Sequence, residues 1–134
     1  MATYFPLNIE VPIKASLSDL VDFKWRNNGI DADFVIPDDE AHILRVSFNR
    51  ACIVRLVDEM PLSTEYEDGP DKGSIAEHFA YKVEGAVFDR TQSESWKAAV
   101  GLTSHYRFIT GWTCLDVLSS ATPVFRKILC STPV

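Results

Sequence analysis

The stretch Val21–Ile36, VDFKWRNNGIDADFVI, folds back on itself as a pattern. With Asn28-Gly29 as the central pair of a type I′ turn, Asn27 faces Ile30 and two strands run outward from there. Trp25 then lies opposite Ala32, Phe23 opposite Phe34 and Val21 opposite Ile36, all on one face. On the other face Arg26 meets Asp31 and Lys24 meets Asp33. Asn-Gly supplies the positive φ angles of this turn at low cost, and the turn's twist suits paired strands. The competing reading is a helix opened at Ser16, with Asp19 as capping partner and Leu17, Leu20, Val21 and Trp25 along one stripe. It strands Phe23 and leaves the charge matching to chance, so the hairpin is expected.

Hairpins recur along the chain. His42–Val57 pairs around Asn49-Arg50 with Phe48 opposite Ala51, and both faces of this pair are largely apolar, as in strands covered on both sides. Ser104–Ser119 pairs around Gly111-Trp112, whose leading glycine suits a type II′ turn. Phe108 then faces Leu115 and Tyr106 faces Val117, while Ile109 meets Cys114 and Arg107 meets Asp116 on the reverse face.

Single strands are expected elsewhere. Phe5, Leu7, Ile9, Val11 and Ile13 alternate with polar residues and prolines, which marks a strand confined to an edge or only partly paired. His78–Phe88 alternates, with Phe79, Tyr81 and Val83 on one face and a bend at Gly85 before Val87 continues. Pro123–Leu129 adds a last strand, and Ser131–Val134 is expected to fray. One helix is expected, Gln92–Val100, opened by a Thr91–Glu94 capping box, stopped at Gly101 and plugged against the sheet by Trp96. The fold class that follows is mainly β: an antiparallel, hairpin-rich rolled sheet, sandwich or small barrel of about eight strands with one short helix.

The 134 residues make one domain, 1–134, of a size that holds a single core, and 46% hydrophobic residues argue against disorder. A formal charge of −6 disfavours nucleic acid as a partner, because affinity for a phosphate backbone comes from Lys and Arg. The opening MATYFPLNIEVPIK shows neither a basic n-region nor a continuous apolar run, so no signal peptide is expected, and no stretch approaches a membrane span. Cys52, Cys114 and Cys130 are odd in number and widely spaced, which fits free thiols in a reducing cytoplasm and no zinc site. Neither Asp38-Asp39-Glu40 nor Glu65–Gly73 has calcium-loop spacing, and Asp31-x-Asp33 is accounted for by its charge pairing. No metal or cofactor is expected.

Function is not written as a motif. No nucleophile elbow, P-loop, HExxH or glycine-rich dinucleotide loop is present. A catalytic reading rests on His78 and His105, which would share a rim with Glu77 if their strands ran parallel. A ligand-binding reading places Arg55, Tyr81 and Tyr106 as polar pins inside a small barrel, for an apolar or anionic molecule. Arg55 in the expected register lies on an apolar face beside Leu44 and Ile53, so it needs either an acid such as Glu59 or an anionic ligand. The reading that asks least is non-catalytic binding. The long turn-rich segment Asp58–Ser74 carries Glu65, Glu67, Asp68 and Asp71, whose charge suits a basic protein partner. An inhibitor or antidote of such a partner is one form of it.

Overall fold

The computed structural model describes residues 1–130, and the fraying expected for Ser131–Val134 lies outside them. The elements are β1 (Thr3–Pro6), a 3₁₀ turn (Ala15–Leu17), β2 (Leu20–Arg26), β3 (Gly29–Val35), β4 (His42–Phe48), β5 (Cys52–Asp58), α1 (Glu59–Ser63), β6 (Ala80–Glu84), α2 (Val87–Arg90), α3 (Glu94–Val100), β7 (Ser104–Phe108), β8 (Thr113–Ser119) and β9 (Val124–Leu129). They form two antiparallel sheets, β1-β6-β7-β8-β5 and β2-β3-β4-β9. The sheets pack face to face as a sandwich. Between them lie Ile30, Phe34, Leu44, Val46 and Phe48 from one and Tyr106, Phe108, Leu115 and Val117 from the other, with Phe79. Rings meet at 4.8 Å (Phe34–Phe79), 5.6 Å (Phe79–Phe108) and 5.9 Å (Phe34–Phe108), so the interior is filled by side chains.

The β7–β8 ladder has the expected register: Phe108 faces Leu115, Arg107 faces Asp116 and Tyr106 faces Val117. Gly111 is needed there for a reason other than a positive φ. A Cβ on it would sit 2.6 Å from the Ser16 carbonyl oxygen.

The β2–β3 hairpin keeps its faces but slides by two residues. Arg26 faces Gly29, Trp25 faces Ile30, Lys24 faces Asp31 and Phe23 faces Ala32, so the turn pair is Asn27-Asn28. Gly29 is taken into the strand because its missing side chain makes room for β4. A Cβ there would lie 1.9 Å from the Phe48 carbonyl oxygen. Arg26 still pairs with Asp31, at 3.2 Å, whereas Asp33 is held by Arg45 at 2.8 Å instead of by Lys24.

The hairpin expected around Asn49-Arg50 does not form. β4 pairs with β3 and β9, and β5 pairs with β8, so residues 49–51 carry the chain from one sheet to the other. Two apolar faces made these strands look like partners. Each is in fact covered within a different layer.

The N-terminal alternation holds from Leu7 onward without its ladder, whereas Phe5, expected on the same face, is exposed and Tyr4 is buried in its place. Only Thr3–Pro6 pairs, but Leu7, Ile9, Val11 and Ile13 still pack against the core while Asn8, Glu10 and Pro12 face out. The prolines remove the donors that a longer ladder would need. After Gly85 the strand ends, and Val87 begins α2 instead of continuing it. α3 starts later than expected. Ser93 is its N-cap, accepting from the Trp96 amide, while Thr91 Oγ1 donates back to the Val87 carbonyl. Trp96 is only half-buried, and Phe88 of α2 takes the plugging position. Among the described residues, no helix is long and apolar enough to cross a membrane.

Candidate functional site

Alternation along the five-stranded sheet sends a row of charges to the face turned away from the other sheet. Arg55 and Arg107 both lie opposite Asp116, on β5 and β7 to either side of β8. Asp116 Oδ2 accepts from Arg55 Nε at 3.0 Å and Nη2 at 2.7 Å. Its Oδ1 accepts from Arg107 Nε at 2.7 Å and pairs with His105 Nε2 at 2.6 Å. Asp116 is fully buried, and His105 and Arg107 are nearly so. Burial alone would raise the Asp116 carboxyl's pKa. The His105 hydrogen bond and the Arg107 charge outweigh it and hold that carboxyl well below the usual carboxylate range. Asp116 is therefore ionised and accepts from His105, so His105 Nε2 carries the proton.

The row continues to both sides. Arg55 reaches Glu65 with Nη1 at 2.5 Å and Nη2 at 3.0 Å, and its guanidinium lies 4.6 Å from the centre of the Phe88 ring. Arg107 Nη1 donates to the Tyr4 hydroxyl at 2.6 Å. Burial raises the Tyr4 phenol's pKa in spite of Arg107, so the hydroxyl keeps its proton. A second apolar cluster of Ala2, Tyr4, Tyr81, Val83 and Ala86 seals this face.

Beside Arg107 opens a cavity of about 210 Å³, lined by Glu59, Leu62, Glu65, Asp71 and Ile109 among others. Arg107 Nη2 is buried without a hydrogen-bond partner among the described residues, and Glu65 Oε1 stands 3.9 Å from it. A buried donor left unmade costs roughly 1–3 kcal/mol.

The residues singled out in the sequence are dispersed. Arg55 has acidic partners, but they are Glu65 and Asp116 instead of Glu59, and Leu44 is not its neighbour. Tyr81 lies on the charged face, where its hydroxyl donates to the Ile75 carbonyl at 2.9 Å and accepts from the Ile75 amide at 3.0 Å. Tyr106 points the other way, into the core, 5.4 Å from Phe48. The three pins thus share no pocket, and the filled sandwich has no barrel interior for them to line.

His78 and His105 do not share a rim either. β6 and β7 run antiparallel, His105 pairs with Val83, and His78 sits before the opposite end of β6 with Nε2 3.0 Å from the Leu7 carbonyl. The acids of the long segment are partly consumed inside the molecule. Glu65 holds Arg55, Glu67 accepts from the Val87 amide at the start of α2 at 3.0 Å, and Asp68 pairs with Arg90 at 2.6 Å. Asp71 lines the cavity.

In the sequence Asp116 has one visible arginine partner instead of two, and Tyr4 carries no signal at all. The signal for a shared partner is Arg55 needing an anion while Arg107 is already set opposite Asp116. Among the described residues, no three His, Cys, Asp or Glu side chains are grouped to hold a metal ion. No protein-family model, curated protein or solved structure matches this chain.

Proposed function

We propose that the protein is a non-catalytic binding module that takes a basic side chain of a protein partner into the cavity beside Arg107. The observation that carries this reading is the charge balance of the cavity wall. Arg55 and Arg107 are matched by Asp116 and Glu65, and Glu67 is engaged by the α2 amide. Glu59 and Asp71 also line the cavity, and among the described residues neither makes an ion pair. The wall is therefore net negative. Leu62 and Ile109 offer apolar surface for the methylene stem of a lysine or arginine, whose head stays at the carboxylates.

The probe is a blocked pentalysine peptide, titrated into isotopically labelled protein and followed by backbone amide shifts. Shifts confined to the segments around Glu59–Ser63, Asp71 and Ile109 are expected, fading with salt as exposed charge contacts do. Loss of two carboxylates in Glu59→Gln/Asp71→Asn should weaken binding roughly tenfold, about 1.4 kcal/mol. Binding unchanged in that variant, or shifts scattered over the surface, would end the proposal.

A further inference from the structure

We infer that two copies of this chain join edge to edge through β2, antiparallel about a two-fold axis at Phe23. β2 is the outer strand of its sheet, so among the described residues no strand pairs with one side of its backbone. Such an edge is a template for another strand unless something blunts it. Lys24 and the irregularity at Val21 blunt it only in part, because large apolar side chains remain exposed on it. Val21 is 54% exposed and Trp25 62% exposed, two large apolar groups on a seven-residue strand.

The sequence of the strand, Leu-Val-Asp-Phe-Lys-Trp-Arg, is complementary to itself. An antiparallel pair centred on Phe23 sets Val21 opposite Trp25 of the second copy and Asp22 opposite its Lys24. A two-fold axis makes each contact twice. Apolar and opposite-charge pairs are the pairs that stabilise an antiparallel ladder. Neighbouring registers fail this test: an axis at Asp22 sets Asp22 against itself, and an axis at Lys24 sets Lys24 against itself. Side-chain alternation allows only registers two apart, because residues directly opposite must share a face.

Within one copy these groups lack good company. Asp22 lies opposite another acid, Asp33, which is already held by Arg45. Lys24 lies opposite Asp31, which is already held by Arg26 and by Ser47. Val21 falls in the irregularity between Leu20 and Asp22 and has no partner on β3. A second copy supplies all three at once and turns two four-stranded sheets into one continuous sheet. β2 does not border the cavity of the proposed function, so the two readings stand or fall separately.

The test is a charge exchange read by sedimentation or light scattering up to millimolar protein. The wild-type chain should dimerise. Asp22→Lys and Lys24→Asp should each weaken the dimer tenfold or more, since each reverses both symmetric contacts. An equal mixture of the two variants should dimerise again, because the paired lysines on one variant's strand then meet the paired aspartates on the other's. Restored dimer in the mixture requires both variants to be folded, and circular dichroism checks each alone. Should either be unfolded, Asp22→Asn and Lys24→Gln replace them, each weakening the dimer without reversing it. A wild-type chain that stays monomeric throughout, or a dimer indifferent to these substitutions, overturns the inference.

Discussion

Asp116→Asn is the substitution with the clearest consequence, because it removes one charge and leaves the shape of the side chain. Four donor contacts converge on the carboxylate: two from Arg55, one from Arg107 and one from His105. An amide in that place presents a donor to donors. Charge-assisted hydrogen bonds contribute roughly 1.5–3 kcal/mol each. Four of them summed would rival the ~5–15 kcal/mol total stability of a domain, so they are not independent. The more useful magnitude is the cost of breaking a buried ion pair from one side, about 3–5 kcal/mol. Arg55 keeps Glu65, which concentrates the loss on Arg107. Urea denaturation should therefore show a loss of about 3–5 kcal/mol, equivalent to a Tm lower by roughly 10–20 °C. A loss below ~1 kcal/mol would mean that Arg107 does not depend on the Asp116 charge. The pH dependence has a definite sign. The Asp116 carboxyl has a depressed pKa in the fold, so its contribution is complete above the unfolded value of ~3.9 and disappears as pH falls through the folded value. The stability gap between wild type and variant should narrow in that acidic range.

Other substitutions test the packing. Phe34→Ala should cost about 3–5 kcal/mol, since the ring is fully buried among Phe79 and Phe108. Phe23→Ala should cost clearly less in the same denaturation assay, because Phe23 is only half-buried on an edge strand. Gly29→Ala should destabilise by more than ~1 kcal/mol, as its new methyl would drive against the Phe48 carbonyl at a φ of +145°. Glu67→Gln removes a charged acceptor from the first amide of α2, and faster hydrogen exchange at Val87 should reveal a local loss of about 0.5–1 kcal/mol.

The sequence spoke most clearly where two independent signals agreed. In β7–β8 the Arg107–Asp116 match and the apolar run opposite it fix one register, and the fold adopts it. In β2–β3 the side-chain faces were legible from alternation, but the turn position was not. Asn28-Gly29 is the better isolated turn, yet Gly29 is required where Phe48 approaches, a demand that originates on another strand. The separation of β4 from β5 was illegible for the same reason. Two strands with two apolar faces can pair with each other or with others, and only the layer arrangement decides. The site followed suit. Arg55 visibly needed an anion, but the anion is shared with Arg107 through β8, which requires knowing the strand order. The acids from Glu65 to Asp68 looked like free surface charge because their partners, Arg55, the Val87 amide and Arg90, are distant in sequence.

The charged row on the outer face exists only if a carboxylate stays ionised between two arginines with almost no water. The side-chain carboxyl carbon of Asp116 reports this directly in a pH titration followed by carbon-13 resonance. The expected result is a flat shift through the ordinary carboxylate value of ~3.9, with any change arriving only as the protein unfolds. A smooth titration of Asp116 at or above that value in the folded protein would contradict it.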